Sequence, residues 1–246
     1  MITVTILTKN SADTLGKTLE GVQRFPEVIV MDTGSIDDTK EIARSFANVR
    51  LIEEKFMGFG KTHNRASSLA SHKWILSIDS DEVLSAELAE EILSLSLENG
   101  TVYSLNRHNY FNDKWMKCCS GWYPDPVIRL YNREVTAFTD DEVHEKVLAD
   151  QLRVIALKGK LSHTPYRSIE SFLQKMQLYS TLFAEQNAGK NSSLGKALVH
   201  GCTAFLRSYI FKRGFLGGKE GLIISLYNAH ATYYKYLKLA FRNKTL

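Results

Sequence analysis

The sequence has few cysteines, no cysteine spacing typical of a metal site, and no long apolar run. Its 246 residues include three cysteines, Cys118, Cys119 and Cys202, and two of these are adjacent. An odd number at this spacing argues against a disulfide framework and favours a reducing cytoplasm. No apolar run approaches the roughly 18 residues that a membrane-spanning helix needs. The N-terminus lacks a basic leader and a small-residue cleavage site, so we expect a cytoplasmic protein without a signal peptide.

Charge is distributed unevenly along the chain. Residues 207–246 hold eight Lys or Arg and one acid, which gives +7, whereas the whole chain carries only +4. Nine of the 23 Phe and Tyr residues lie from Phe205 onward, among these Lys and Arg residues. Basic helices with aromatic side chains are typical of membrane interfaces, so we expect this tail to contact an anionic membrane surface. The alternative is a helical cap with a solvated basic face. Nucleic acid is not expected as a partner, since no recognised binding module accompanies the charge.

The first half of the chain predicts strands that alternate with helices. The strands are predicted at 2–8, 27–32, 49–53 and 73–79. Helices are expected between them and again over 85–97, capped by Ser85. This order is typical of βαβ units in a mostly parallel sheet, and therefore of the α/β class.

The second half predicts a different organisation. Strands at about 101–111, 125–132 and 152–163 follow one another without helices and indicate antiparallel additions to the sheet. Helices follow from Ser168, which is expected to cap the first of them, and two more are expected at about 193–213 and 220–242. We therefore predict two domains, an α/β domain over residues 1–165 and a helical, basic and aromatic extension over residues 166–246.

The segment "WILSIDSDE" ends a predicted buried strand with three acidic residues, Asp79, Asp81 and Glu82. Buried charge is costly unless it is paired or metal-bound, and ligands of open α/β sheets bind at the carboxyl ends of the strands. Mg²⁺ or Mn²⁺ with a diphosphate fits an Asp-x-Asp pair there. Two alternatives stay open. One is a DxDx[TV]-type phosphatase with Asp79 as nucleophile and Asp81 as acid/base, and the other is a set of acids that only favour the next helix dipole.

Four segments of the first half resemble, in order, those of family 2 glycosyltransferases. They are "VTILTKN", "EVIVMDTGSIDDT", "GFGKTHNRA" and "WILSIDSDE". Four later segments resemble the branch of lipopolysaccharide core glucosyltransferases that add β-1,4-glucose to the inner-core heptose. These are "GWYPDPVIRLYNR", "VHEKV", "LSHTPY" and "YIFKRGFLGG". The resemblance covers nearly the whole chain. It implies a GT-A (Rossmann-like) fold with a mostly parallel sheet, antiparallel additions and a C-terminal helical appendage.

The resemblance also implies a nucleotide site. Its expected residues are Thr8, Lys9, Asn10, Asp32, Lys61, Asn64 and Asp79. Among them, Asp32 is expected to accept hydrogen bonds from uracil and Asp79 to face the ribose, while Asp81 is expected to bind the metal. Plainer interpretations stand beside these: Asp32 as the cap of the turn "DTGS", Asn10 as a turn residue, and Lys61 as a solvated residue at a helix start.

Inverting transfer needs a base to take the acceptor proton, and a carboxylate is the normal choice. Glu145 matches the position that the branch retains in "VHEKV" and is the expected base. Glu142 is the second candidate and Asp141 the third, and His144 is a candidate for orienting the base.

Two further residues have both a functional and a structural interpretation. His163, at a predicted strand end, is expected to complete the metal or diphosphate shell, with a hydrogen-bonded structural histidine as the alternative. Arg129 is expected to pair with phosphate through its bidentate fork, with a salt bridge on the sheet as the alternative.

The resulting expectation is a metal-dependent, inverting glycosyltransferase. It would move a sugar, glucose in this branch, from a UDP-sugar donor to a lipid-linked lipopolysaccharide inner-core acceptor. Its expected location is the cytoplasm, peripheral on the inner face of the bacterial inner membrane. Besides the phosphatase, a non-catalytic sugar-nucleotide or lipid-binding protein is the alternative from another class.

Overall fold

The structure, a computed structural model, describes residues 1–140, 145–166 and 168–244. The chain forms two compact units. The first contains Met1–His108 and Pro126–His163, and the second contains Asn109–Asp125 and Thr164–Leu246. The chain thus passes through the second unit over Asn109–Asp125, returns to the first, and enters the second again at Thr164. The division into domains after residue 165 stays a prediction.

Strands and helices alternate in the first half of the chain, as predicted. Within the described residues the strands are β1 (Ile2–Thr8), β2 (Glu27–Asp32), β3 (Val49–Glu53), β4 (Trp74–Asp79), β5 (Glu82–Leu84), β6 (Thr101–Phe111), β7 (Lys114–Trp115), β8 (Pro126–Asn132) and β9 (Arg153–His163). The helices are α1 (Ala12–Gly21), α2 (Thr39–Arg44), α3 (Phe59–Ser68), α4 (Ala86–Leu93), α5 (Ile169–Gln186), α6 (Leu194–Leu206) and α7 (Gly218–Arg242). The α/β class is confirmed.

The sheet is parallel on one side and antiparallel on the other. Its strand order is β3-β2-β1-β4-β8-β6-β9-β5. The pairs β3–β2, β2–β1 and β1–β4 are parallel, whereas β8 is antiparallel to both β4 and β6. The predicted antiparallel additions are therefore confirmed. They bring β8 directly beside the acidic end of β4.

Burial explains why the parallel strands form. All seven residues of β1 are buried, because helices cover a parallel sheet and leave neither face to water. On the α1 side, Leu15 and Leu19 are buried one turn apart, which is the expected helical spacing. These side chains join the main core with Val4 and Ile6.

The helix α4 begins at its predicted cap and is held close to the sheet. The Leu88 amide donates to Ser85 Oγ at 3.2 Å, an N-cap bond that stabilises a helix by about 0.5–2 kcal/mol. Gly159 of β9 lies under this helix. A Cβ at residue 159 would come within 2.4 Å of Leu88 Cα, so only glycine permits this approach.

A short strand that the sequence pattern did not predict lies between β4 and α4. No strand was predicted between residue 79 and the helix at 85–97, but Glu82–Leu84 form β5 and pair with β9. In that register Glu82 lies opposite His163. The strand therefore fixes the acidic segment against the last strand of the sheet.

The second unit is mainly helical. Residues Tyr110 and Phe111 of β6 pair with β7 in a small hairpin, and α6 and α7 pack together. Gly201 of α6 lies against α7, since a Cβ there would be 3.1 Å from Tyr233 Cβ. None of the helices in the part of the chain that the structure describes combines the length and apolar character needed to cross a membrane.

The predicted helix at 193–213 is interrupted. The α-helix ends at Leu206, a π-helical turn continues over Arg207–Phe211, and a 3-10 turn covers Gly214–Gly217. Arg213 has a left-handed backbone with φ of 54°, which ends the helical path. The chain then passes so close to α7 that a Cβ at Gly221 would lie 1.9 Å from the Gly214 carbonyl oxygen.

Candidate functional site

The carboxyl ends of three neighbouring strands in the first unit bring the predicted residues to one edge of the sheet. Thr8 ends β1, Asp32 ends β2 and Asp79 ends β4. Thr8 lies in register with Asp32, and Leu7 lies in register with Asp79. Since these strands are parallel, the three ends point the same way. This is the edge at which open α/β sheets bind ligands.

Asp79, whose side chain is 36% exposed, belongs to an ion-pair network whose other members are mostly buried. Arg129 Nη2, on the adjacent strand β8, lies 2.5 Å from Asp79 Oδ2 and 2.7 Å from Glu82 Oε1. Arg107 Nη1 lies 3.0 Å from the same Glu82 oxygen. The Asp79 amide also donates to Glu82 Oε2 at 3.0 Å. Glu82 is fully buried, and a buried carboxyl group is costly unless it has partners such as these.

The network sets the protonation of Asp79. Burial alone would raise the pKa of the Asp79 carboxyl, but the Arg129 guanidinium and, to a smaller degree, His63 and Arg107 outweigh it. The pKa of Asp79 therefore lies well below its usual value, and the carboxylate is ionised at neutral pH. For Arg129, the salt-bridge interpretation is borne out, while its contact with phosphate stays a prediction.

His63 is a member of this site that the sequence pattern did not indicate. It is fully buried in α3, and its ring stacks on Phe138 with centroids 4.4 Å apart. Its Nδ1 lies 3.0 Å from Ser77 Oγ, and its Nε2 lies 4.0 Å from both Asp79 Oδ1 and Glu145 Oε1. Burial lowers the pKa of His63 to about 4, so the ring is neutral at physiological pH. A single histidine within a helix carries no sequence signal that separates it from a core residue.

Glu145, the expected base, lies at the same edge. Its side chain is 18% exposed and contacts His63 as described. Burial is the main reason that the pKa of Glu145 is raised above its usual value, and the Asp79 charge adds to the effect. A carboxylate with a raised pKa binds a proton more readily, which suits a general base. Asp141, Glu142 and His144 lie outside the described residues.

Asp81 and His163 lie side by side. Their side chains are 23% and 13% exposed, and Asp81 Oδ1 is 3.7 Å from His163 Nε2. No group of three or more His, Cys, Asp or Glu side chains suited to a metal occurs within residues 1–140, 145–166 and 168–244. One carboxylate and one imidazole nevertheless fit a Mg²⁺ or Mn²⁺ ion that takes its other ligands from phosphate and water.

Asp32 organises the turn that follows β2. Its Oδ1 accepts from the amides of Gly34 and Ser35, at 3.0 Å and 2.9 Å, and its Oδ2 accepts from the Ser35 hydroxyl. Ser35 Oγ in turn accepts from the Asn10 amide at 2.8 Å, and Asn10 Oδ1 accepts from the Ile36 amide at 2.9 Å. The turn-capping interpretation of Asp32 and the turn interpretation of Asn10 are therefore borne out. Their contacts with a nucleotide stay predictions.

The remaining predicted residues lie around the same edge. Thr8 Oγ1 is buried and has no hydrogen-bond partner among the described residues, whereas Lys9 and Lys61 are exposed. Both ends of the Asn64 amide bond to Phe138, through Nδ2 to its carbonyl at 3.0 Å and through Oδ1 from its amide at 2.9 Å. Asn64 thus fixes the segment that carries Phe138 beside His63. Its approach to the nucleotide stays a prediction.

A half-parallel sheet with Asp79, Asp81 and a buried glutamate at and just after the end of β4 fits the class of GT-A glycosyltransferases. The model of the family "Glycosyl transferase family 2" matches residues 3–136, which is more than half of the chain. The chain belongs to this family, and the resemblance that the four segments indicated is confirmed. The family membership decides against the phosphatase interpretation of Asp79.

Curated relatives agree with this assignment over nearly the whole length. The chain is 27% identical to an uncharacterized glycosyltransferase of Rickettsia prowazekii, over 97% of this chain and 86% of that protein. It is 26% identical to the lipopolysaccharide core biosynthesis glycosyltransferase LpsC of Rhizobium meliloti, over 91% of this chain and 86% of LpsC.

Solved structures confirm the fold. The mannosyltransferase of Pyrobaculum calidifontis, in complex with GDP-Man and Mn²⁺, superposes with a TM-score of 0.55 at 16% identity, over 99% of this chain and 86% of that one. S. aureus TarS in complex with UDP-GlcNAc superposes with a TM-score of 0.50 at 17% identity, over 99% and 92%. At these identities the likeness shows the GT-A fold alone.

Proposed function

We propose that the protein is a metal-dependent, inverting glycosyltransferase that moves glucose from a UDP-sugar to a lipid-linked lipopolysaccharide inner-core acceptor. The observation that carries the proposal is the joint placement of Asp81 with His163, and of Glu145 with His63, at the strand ends of a family 2 fold. The likeness to LpsC, a lipopolysaccharide core glycosyltransferase, supports the acceptor class.

The donor is proposed to bind along the edge formed by β1, β2 and β4. The buried Thr8 hydroxyl without a partner supports a polar ligand there, because such a group is costly unless it is hydrogen-bonded. Lys9 and Lys61 are exposed and free to approach a diphosphate in this proposal, and Asp79 is held ionised for the ribose hydroxyls by Arg129. Solved relatives of the same fold bind UDP-GlcNAc or GDP-Man, which supports a nucleotide-sugar donor.

Asp81 and His163 are the proposed holders of Mg²⁺ or Mn²⁺. When bound, the ion would offset the charge of the leaving diphosphate. To bind a metal, the Asp81 carboxylate must be ionised and the His163 nitrogen that faces the ion must carry no proton. Asp81 lies between the strands β4 and β5, and this position keeps its carboxylate near the edge of the sheet.

Glu145 is the proposed general base. It takes the proton of the acceptor hydroxyl as that oxygen attacks the anomeric carbon of the sugar, and UDP leaves from the opposite face. Its partial burial beside His63 raises the pKa and thereby its basicity. The ion pairs of Arg129 keep Asp79 from taking that proton, since Asp79 has a depressed pKa.

The proposed location is the cytoplasmic face of the inner membrane, where a lipid-linked acceptor is accessible. An anionic membrane surface is therefore a proposed partner. The charge of +7 over residues 207–246 supports this partnership, because anionic lipids attract basic segments.

Turnover tests the proposal directly. The purified protein is incubated with UDP-glucose, Mn²⁺ and a de-O-acylated inner-core oligosaccharide, and the product is analysed by mass spectrometry and by NMR of the new linkage. We expect a mass gain of one hexose in a β linkage and no product after chelation of the metal. Matched reactions with UDP-galactose, UDP-GlcNAc and GDP-mannose decide the sugar. Donor binding without product for any of these sugars would favour a non-catalytic sugar-nucleotide-binding protein.

A further inference from the structure

The second unit exposes an apolar helix face that is not explained by the proposed donor site. In α6, Ala197 and Gly201 are buried, while Leu194, Leu198 and Val199 are about half exposed or more. A helix of a water-soluble fold normally buries its apolar stripe and exposes its polar one. Here the small residues face the protein, and the large aliphatic residues face outward.

The exposed apolar face continues past the end of α6. Phe211 is 77% exposed and Leu216 is 66% exposed, which are high values for large apolar side chains. We call the whole set the α6 surface. Its residues are Leu194, Leu198, Val199, Leu206, Ile210, Phe211, Phe215 and Leu216. Large apolar side chains exposed together along one segment mark an interaction site more often than scattered ones do.

The α6 surface lies in the most basic part of the chain. Residues 186–219 contain no Asp or Glu and six Lys or Arg, and the second unit as a whole carries 14 Lys or Arg against 5 Asp or Glu, a net charge of +9. Arg207, Lys212 and Arg213 are exposed between the apolar residues. An open pocket of about 520 Å³ adjoins Phe211 and is lined in part by Lys117, Lys212 and Arg213. The cationic lining of the pocket favours an anionic group over a neutral one.

The basic residues of α7 that the sequence pattern emphasised are less available. The Lys238 ammonium, with three N–H groups, lies within hydrogen-bond distance of four acceptors of α5: Gln177 O and Oε1 at 3.0 Å, and Ser180 Oγ and Thr181 Oγ1 at 2.8 Å. The Lys235 ammonium lies 5.6 Å from the ring centre of Phe183. Lys238 therefore ties α7 to α5 and is not displayed to a partner.

We propose that the α6 surface, with Arg207, Lys212 and Arg213, is the face that binds an anionic lipid bilayer. The aliphatic and aromatic side chains enter the interface, and the three basic side chains meet lipid phosphates, which is the arrangement of interfacial amphipathic helices. A second copy of the chain on this face is disfavoured, because an isologous contact would bring the same cationic side chains together. This assignment rests on the anionic membrane as a proposed partner and names the surface that contacts it. It does not depend on which sugar or acceptor the protein uses.

Vesicle binding tests the inference without donor or acceptor. The full chain is sedimented with phosphatidylcholine vesicles that contain 0 or 40% phosphatidylglycerol, at low and high salt. We expect binding only to the anionic vesicles and a decrease with salt. The charge variant Arg207→Gln/Lys212→Gln/Arg213→Gln should lower the partition coefficient on the order of 100-fold, at several-fold for each charge. The apolar variant Phe211→Ser/Leu216→Ser should lower it at least tenfold at both salt concentrations.

The matched control is the α7 variant Lys235→Gln/Lys238→Gln/Arg242→Gln/Lys244→Gln, which removes more charge elsewhere in the same unit. We expect it to retain most vesicle binding. Thermal unfolding of each variant shows whether it is folded, and the highly exposed positions 211 and 216 are chosen because polar residues are tolerated there. Parent-like sedimentation of both α6-surface variants would overturn the inference. So would a loss confined to the α7 variant, or an α6-surface effect on self-association instead of vesicle binding. Turnover on a soluble acceptor is expected to be unchanged in these variants, so failure of the catalytic proposal is seen separately.

Discussion

His63 Nε2 lies 4.0 Å from Glu145 Oε1, and the same nitrogen is 4.0 Å from Asp79 Oδ1. The ring therefore stands between a carboxylate proposed as base and one proposed as a ribose ligand. When Ser77 donates to Nδ1, Nε2 of the neutral ring carries the hydrogen, and this nitrogen lies 4.0 Å from both carboxylates without a hydrogen bond to either. The N–H then faces two like charges and reduces their repulsion.

Unfolding free energy should depend on pH through His63. Because burial lowers its pKa from near 6.5 to about 4, the unfolded state binds a proton in this window and the folded state does not. Stability from this group is complete above about pH 6.5 and falls as the pH drops to about 4, by about 3 kcal/mol. His63→Phe keeps a ring beside Phe138 but cannot titrate. In urea titrations at several pH values, the variant should lose less unfolding free energy than the parent between about pH 6.5 and pH 4. An equal loss in both proteins would show that His63 does not cause this pH dependence.

Removal of the proposed base should affect turnover and not donor binding. Glu145→Gln should lower kcat by about 10²-fold or more, because the amide cannot accept the acceptor proton. The affinity for UDP with Mn²⁺, measured by calorimetry, should change little. Near-parent turnover would move the role to Glu142 or Asp141.

The acid limb of the parent's pH–rate profile should report Glu145. Its pKa is raised by burial, so kcat/KM should rise with pH through an apparent pKa above the usual value of a glutamate. His63→Phe removes the N–H that faces the carboxylate and should move this limb to higher pH. If the apparent pKa of the acid limb were the same in the variant and the parent, His63 would contribute only to packing and not to the pKa of Glu145.

Arg129 should contribute more to stability than exposed arginines do. Arg129→Leu leaves the fully buried Glu82 with one partner fewer and Asp79 without its closest one, at a cost of about 3–5 kcal/mol. Arg24→Leu is the matched control, because the Arg24–Glu90 pair is about 60% exposed on both sides and such pairs contribute about 0–1 kcal/mol. Denaturant unfolding of the two variants measures the difference. Equal losses of unfolding free energy in the two variants would contradict the larger contribution expected of the buried network.

Metal binding should depend jointly on Asp81 and His163. Asp81→Asn and His163→Gln should each weaken the enhancement of UDP binding by Mn²⁺, and the double variant should lose little more than the stronger single one. His200→Gln, a histidine of the second unit, is the control and should behave like the parent. Additive losses would indicate that the two side chains do not share an ion.

The strands were predictable because burial dictates their composition. The segments 2–8, 27–32 and 49–53 are β1, β2 and β3 with the predicted ends. Ser85 and Ser168 were also predicted as caps, and their hydroxyls accept from the expected amides. These are local properties, in which a few neighbouring residues decide the structure.

The parts that were not predicted depend on distant partners. Acidic residues seldom form buried strands, yet Glu82 lies in β5 because Arg129 and Arg107 neutralise it. His63 lies in the site through its contacts with Ser77, Phe138 and Glu145, and the last two lie far along the chain. The exposed apolar face of α6 could not be predicted either, because the apolar pattern of a helix does not show which of its faces the fold covers.

The pairing of β5 with β9 affects the order in which the nascent chain acquires the parts of its proposed ligand site. Asp81 and His163 are 82 positions apart, and the register of Glu82 with His163 is what brings them together. During synthesis, β1 to β4 and the loops proposed for the nucleotide emerge first, while His163, the second proposed metal ligand, arrives with β9, the last strand in the chain. Contacts of such separation close late and slowly. A nascent chain should therefore gain nucleotide affinity in two stages, and its response to Mn²⁺ should mark the moment at which the first unit is complete.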